Sequence, residues 1–316
     1  MASLAFVFPG QGSQSVGMLA SFAQDRAVQD CMARASAALG EDLGRLIGEG
    51  PAADLDLTVN TQPCLLAASV AILSAWRAAG GREPDLVAGH SLGEYSALVA
   101  AGAIDLEQAV PLVRFRARAM QEAVPVGVSG MAAILGLDDE TVALACSRAA
   151  GENPCEVVEA INFNAPSQVV IAGHAKALAR ACEIARELGA KRALPLPVSV
   201  AFHSSLLAPA SERLRAHLAA VPVRAPRIPV VNNIDIASPE APDAIRDALA
   251  RQVAGPVRWS ALVREFASRG VTQIVECGPG KVLSGLNKRI APGIECRSIS
   301  DANGLREALE ALGGRP

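Results

Sequence analysis

The run Asp85-Leu86-Val87-Ala88 leads into the pentapeptide Gly89-His90-Ser91-Leu92-Gly93, and a helix-compatible run from Glu94 to Ala101 follows and closes at Gly102. An apolar strand, a sharp G-x-S-x-G turn and a helix together make a nucleophile elbow, and that element requires a sheet edge to end on. The two glycines let the backbone turn tightly, so the Ser91 hydroxyl projects towards the helix N-terminus. There an oxyanion meets backbone N–H groups and a favourable dipole. The alternative is a chance glycine-rich turn with an ordinary serine; the flanking strand and helix patterns favour the elbow.

The rest of the chain supplies such a sheet. Short apolar runs alternate with amphipathic helical stretches, which predicts α/β layers around a mainly parallel sheet. Leu4–Phe8 reads as the first strand and runs into the loop Pro9-Gly10-Gln11-Gly12-Ser13-Gln14; an Ala-rich helix follows Pro63. Ile228–Val231 and Gln273–Glu276 read as further strands. The segment 128–198 differs, with a strand (131–135), a helix (about 139–150), and strands 157–161 and 168–171 joined by the connection 162–167. A helix (about 175–189) and a strand (about 192–198) complete it. That order, βαββαβ, is ferredoxin-like. The expected fold is α/β: a large α/β-hydrolase-like body with a mainly parallel sheet (1–127 and 199–316), carrying an inserted ferredoxin-like small subdomain (128–198). At 51% hydrophobic and only 3% aromatic residues, its core is built from Ala, Val, Leu and Ile.

Charge and cysteine usage narrow the function classes. A net charge of −3 without a Lys/Arg run argues against nucleic acid as a partner. No stretch approaches the ~18 uninterrupted apolar residues of a membrane span, and the N-terminus lacks a basic n-region. Seven cysteines without a C-x-x-C pair predict reduced thiols in a cytoplasmic protein, with no disulfide framework and no zinc site.

A serine nucleophile needs a base, and there are four histidines. His90 adjoins Ser91 and points elsewhere on an extended backbone. His217 reads as a partly exposed helical residue, and His174 as a cap or surface residue between a strand and a helix. His203 follows the apolar run 196–202, at what reads as a strand's end where sites gather, so it is the candidate general base. No acid between Ser91 and His203 presents itself as a third triad member. Asp105 reads as a helix N-cap with Gln108 completing a capping box, and Asp138 and Asp139 open another helix. A backbone carbonyl could orient the imidazole instead.

The helix from Asp105 to about Val124 carries a further signal. Leu106, Ala109, Leu112, Val113, Ala119, Met120 and Ala123 share one face with Arg116 at its middle, while Glu107, Arg114, Arg118 and Gln121 lie opposite. A core-facing guanidinium needs an anionic partner, and no acid occupies a helical partner position. A substrate carboxylate would supply one in bidentate fashion. The alternatives are a structural ion pair with a distant acid or a snorkelling side chain, and Pro111 can kink the helix and rotate its face. The loops Gly10–Gln14 and Gly278-Pro279-Gly280-Lys281 fit neither dinucleotide nor P-loop fingerprints. The first, leaving a strand beside the elbow, could donate a backbone N–H to an oxyanion hole; the second reads as a structural strand-to-helix turn.

Several stretches together resemble the malonyl-CoA:acyl carrier protein transacylases of bacterial fatty acid synthesis. They are Phe8–Gln14, Thr61-Gln62-Pro63, Gly89–Ala97, Arg116–Pro125, Asn162-Phe163-Asn164-Ala165-Pro166, His203-Ser204, Val231-Asn232-Asn233 and Gly278–Leu283. They span nearly the whole chain in the family's order. The resemblance implies a ping-pong transfer in which Ser91 takes malonyl from malonyl-CoA and yields it to the phosphopantetheine thiol of acyl carrier protein. It also implies His203 as base, Arg116 as the grip on the malonyl carboxylate, and the backbone N–H groups of Gln11 and Leu92 as oxyanion hole. Gln252 matches the residue whose backbone carbonyl orients the histidine, and no cofactor is expected. Ala201-Phe202 before His203 resembles malonyl-selective acyltransferase domains of polyketide synthases, so malonyl is expected over methylmalonyl. Lys281, Lys288, Arg289 and Arg297 are candidates for docking an acidic carrier. The competing readings are a serine esterase or thioesterase, and a docking subunit that keeps the fold without turnover.

Overall fold

The structure is a computed structural model and describes residues 3–151, 155–198 and 200–312. Among the described residues, the strands are β1 (Ser3–Phe8), β2 (Leu86–Gly89), β3 (Ser129–Leu135), β4 (Val158–Ala165) and β5 (Gln168–His174). They continue with β6 (Arg192–Pro195), β7 (Val230–Val231), β8 (Val271–Cys277) and β9 (Glu295–Ile299). A five-stranded sheet has the order β7-β2-β1-β8-β9, every pair parallel. A four-stranded antiparallel sheet has the order β4-β5-β3-β6. With the helices Asp139–Gly151 and Ala175–Glu187 between its strands, the second sheet has the expected ferredoxin-like arrangement.

The parallel sheet is covered on both faces, which is why β1 and β2 read as unbroken apolar runs. Leu4, Phe6 and Phe8 point into one core with the helix Thr58–Ala78, whose Trp76 meets Phe6 at 5.4 Å between ring centroids. Ala5 and Val7 point into the other, with Trp259, Leu262 and Phe266. This alternation is the period of two of a strand. The helix Thr58–Ala78 is long and apolar enough to cross a membrane by length and composition, but it is spent on the core, buried along most of its length.

Three sequence expectations are corrected. The Ala-rich helix starts at Thr58 and contains Pro63 rather than following it. The connection 162–167 is mostly strand: β4 runs to Ala165, which pairs with Gln168 across the tight turn Pro166-Ser167. The last strand of that sheet ends at Pro195, and Leu196–Val198 continue as irregular chain along the cleft. Pro195 and Pro197 lack the N–H that further ladder bonds would need. Ser199, at the expected return to the larger body, lies outside the described residues.

Candidate active site

Phe8 and Gly89 are partners in the β1–β2 register, so the loop after β1 and the elbow after β2 leave the sheet side by side at its C-terminal edge. Sites gather at that edge in parallel α/β sheets. Ser91 sits at φ +52°, a left-handed conformation held at the turn's apex. The flanking glycines are demanded by close approach. A Cβ on Gly89 would lie 1.8 Å from the Gly93 carbonyl carbon, and one on Gly93 would lie 2.1 Å from the Phe8 oxygen. Asn233 clamps the turn from β7's end: its Oδ1 accepts from Ser91 N at 2.7 Å and its Nδ2 donates to the Gly89 carbonyl at 2.7 Å.

Ser91 Oγ lies 2.7 Å from His203 Nε2, and His203 Nδ1 lies 2.9 Å from the Gln252 carbonyl. A carbonyl only accepts, so Nδ1 carries the proton and Nε2 is left to accept from the Ser91 hydroxyl. Among the described residues no carboxylate hydrogen-bonds the imidazole, and the backbone carbonyl fills the place of a triad acid. Burial, and next the nearby Arg116 cation, push the His203 pKa down to about 3, so the ring is neutral near neutrality. His203 is not at a strand's end: it occupies a turn at φ +62°, just before the short 3-10 turn Ser205–Leu207.

Arg116 lies on the helix Leu106–Glu122 and is 1% exposed. Its Nη1 donates to Gln62 Oε1 at 2.8 Å, and its Nη2 to Gln252 Oε1 at 2.9 Å and to Ser91 Oγ at 3.2 Å. The guanidinium also lies over the Tyr95 ring at 5.4 Å. Every side-chain oxygen bonded to it is neutral, its Nε has no partner, and among the described residues no carboxylate pairs with it. A buried cation without an anionic partner is costly, and an anion entering the cleft would offset that cost. Arg114, on the face opposite Arg116, is buried too: it pairs with Glu41 and donates to Asn60 Oδ1 at 2.8 Å. A second layer of chain covers that face, which periodicity within one helix cannot reveal. Asp105 occupies the N-cap position but makes no capping bond; its carboxylate pairs with Arg224, and no capping box forms.

The other histidines stay out of this group. His90 turns its Nε2 to Asn164 Oδ1 at 2.8 Å, tying the elbow to β4. His174 precedes its helix and accepts from Val157 N at 2.9 Å, and half-buried His217 stacks on Phe115 at 3.9 Å. Gln11 and Leu92 line the same cleft as Ser91, and neither backbone N–H takes an acceptor among the described residues. Gly10 presses against the elbow, since a Cβ there would lie 2.5 Å from the His90 oxygen. The cleft holds about 990 Å³ of empty space open to solvent, walled by Met131 and Val170 of the antiparallel sheet and by Phe202 from the turn before His203. Among the described residues no three His, Cys, Asp or Glu side chains cluster as a metal site would require. Lys281, Lys288 and Arg297 line a separate surface groove, while Arg289 donates to Gln168 Oε1 and to the Pro166 carbonyl.

Four residues at the site had no role from sequence: Gln62, Glu94, Asn164 and Asn233. All lie in the stretches that carry the family resemblance, but their partners are remote in sequence, so only the fold discloses what they hold.

Residues 5–289 match the acyl transferase domain family. The chain is 52% identical over 311 residues to the malonyl CoA-acyl carrier protein transacylase of Escherichia coli (strain K12), covering 98% of this chain and 100% of that protein. It superposes on the acyl-carrier-protein S-malonyltransferase of Burkholderia pseudomallei 1710b with a TM-score of 0.95 at 61% identity, covering 98% of this chain and 99% of that one. A malonyl-transacylase solved in complex with its type II PKS acyl-carrier protein gives a TM-score of 0.96 at 48% identity, covering 98% of this chain and 100% of that one. With the elbow, the imidazole and the buried guanidinium in one cleft, the chain belongs to the acyl transferase domain family.

Proposed function

We propose that this acyltransferase moves a malonyl group from malonyl-CoA to the phosphopantetheine thiol of acyl carrier protein, through an ester on Ser91, and so supplies extender units for fatty acid synthesis. The observation that carries the reading is Arg116, a buried cation with no carboxylate partner among the described residues, 3.2 Å from Ser91 Oγ. That placement suits an acyl group ending in a carboxylate, and the named functions of the full-length relatives agree with it.

In the first half-reaction His203 Nε2 takes the Ser91 proton as Oγ attacks the thioester carbon. The oxyanion faces the N–H groups of Gln11 and Leu92, a preorganised arrangement that stabilises the developing charge. Collapse breaks the C–S bond, and the departing CoA sulfur takes the proton from Nε2. In the second half-reaction the carrier thiol gives its proton to Nε2 and attacks the malonyl-Ser91 ester. Ser91 leaves and recovers that proton, and no cofactor enters. The malonyl carboxylate sits on Arg116, where it also offsets the cation that weakens His203 as a base. Phe202 in the cleft wall crowds an α-methyl substituent, so malonyl is favoured over methylmalonyl.

In this reading 128–198 is an inserted subdomain roofing a body formed by 1–127 and 199–316. A cytoplasmic setting accords with seven cysteines among which no disulfide forms in the described residues. The test is the rate of acyl-enzyme formation from malonyl-CoA and acetyl-CoA by Arg116→Ala. Malonyl loading should fall by ~100-fold or more, the loss of a buried charge-assisted pair, with acetyl loading changed far less. Equal losses for the two substrates would remove the carboxylate grip from the account.

A further inference from the structure

Glu94 follows the elbow's second glycine and is 2% exposed. The transfer as drawn leaves it without a task, yet a buried carboxylate is costly unless its surroundings are arranged for it. Arg116 is the natural counter-charge, and the two do not touch. The Gln252 side chain stands between them. Its Nε2 donates to Glu94 Oε2 at 2.9 Å and to the Ser91 carbonyl at 3.1 Å, while its Oε1 accepts from Arg116 at 2.9 Å. The amide therefore has its donor end on a carboxylate and its acceptor end on a guanidinium.

The reverse orientation is forbidden by the same neighbours. A flipped amide would set its NH2 against the Arg116 donors and its oxygen against the Ser91 carbonyl, which only accepts. The main-chain carbonyl of this same Gln252 holds His203 Nδ1, and Glu94 Oε2 also accepts from Asn233 N at 2.8 Å, behind the clamp on the elbow. One carboxylate oxygen thus meets the supports of all three reacting groups.

We propose that Glu94 is a positioning residue for the transfer: by accepting from Gln252 it fixes the amide that holds Arg116 and, through the same residue, the imidazole of His203. The inference rests on the roles given above to Ser91, His203 and Arg116.

The test compares acyl-enzyme formation from malonyl-CoA and acetyl-CoA in the wild type, Glu94→Ala, Glu94→Gln and Glu94→Asp. Glu94→Ala should lower malonyl loading by ~10–100-fold and narrow the malonyl-to-acetyl preference, since small misplacements of positioned groups cost that much. Glu94→Gln keeps an oxygen able to accept both bonds and should restore rate and preference to within about fivefold. Glu94→Asp keeps the charge, loses the reach and should behave like Glu94→Ala. If Glu94→Ala does not fold, the order of the other two variants decides: aspartate outperforming glutamine would overturn the proposal. So would a Glu94→Ala protein that melts lower but keeps the wild-type rate and preference, because that is the behaviour of a packing residue. A wild-type protein that never loads Ser91 would instead sink the functional reading on which this one stands.

Discussion

His203 shows how the surroundings of one residue set its chemistry. An exposed histidine is half protonated near pH 6.5, and a protonated imidazole cannot take the proton of Ser91. Burial and the Arg116 cation lower its pKa to about 3, so on acidification the neutral, competent form persists far below the ordinary titration range. Loading by a malonyl thioester that lacks phosphate groups should therefore give a kcat/KM that stays flat from pH 8 to about pH 5, since kcat/KM reports the free enzyme's groups. A tenfold-per-unit decline beginning near pH 6.5 would show a base of ordinary strength. Ser91, His203 and Arg116 were legible in the sequence because each breaks a local pattern: a serine between glycines after a strand, a histidine after an apolar run, a guanidinium in an apolar face. The burial of Arg114 was not legible, because its partners Glu41 and Asn60 lie far away along the chain.

The elbow is the element on which the site depends, and it is held by steric exclusion and by Asn233. Gly89→Ala would drive a Cβ into the backbone at Gly93, where no flexible side chain can yield. A loss of about 3 kcal/mol or more in unfolding free energy is expected, at the upper end for overpacking. Denaturant titration would measure it, and a stability equal to wild type would mean the turn can open. Asn233→Ala leaves the Ser91 N–H and the Gly89 carbonyl without their partner, at roughly 1–3 kcal/mol for each buried orphan. Loading should fall with stability in that variant. The strand–turn–helix pattern announced this element from sequence alone, but not its clamp, because Asn233 reaches the turn only once β7 pairs with β2. The limits of β4 and β6 were misjudged for a related reason: ladder pairing across a two-residue turn and the missing proline N–H groups decide them, and neither leaves a periodic signature.

At the scale of the whole molecule, two sheets meet over one cleft. The parallel sheet delivers Ser91, and the antiparallel sheet supplies a wall through Met131, Asn164 and Val170. Their junction is hydrogen-bonded: Phe163 N donates to the Val257 carbonyl at 3.0 Å, Val257 N to the Ile161 carbonyl at 2.8 Å, and Asn164 meets His90. The order βαββαβ made the second sheet readable in advance. How it closes on the elbow was not readable, because the contact between His90 and Asn164 joins segments more than seventy residues apart. A walled cleft with a cation at its base suits a carboxylated acyl group held away from water until a thiol enters.

That retention is the central claim, and intact-mass spectrometry tests it most directly. The protein is mixed with malonyl-CoA, freed of excess substrate, and divided between buffer and acyl carrier protein bearing its phosphopantetheine arm. One malonyl adduct is expected on Ser91, absent from Ser91→Ala, that persists in buffer and passes to the carrier. No adduct, or an adduct lost to water as fast without the carrier as with it, would contradict the account.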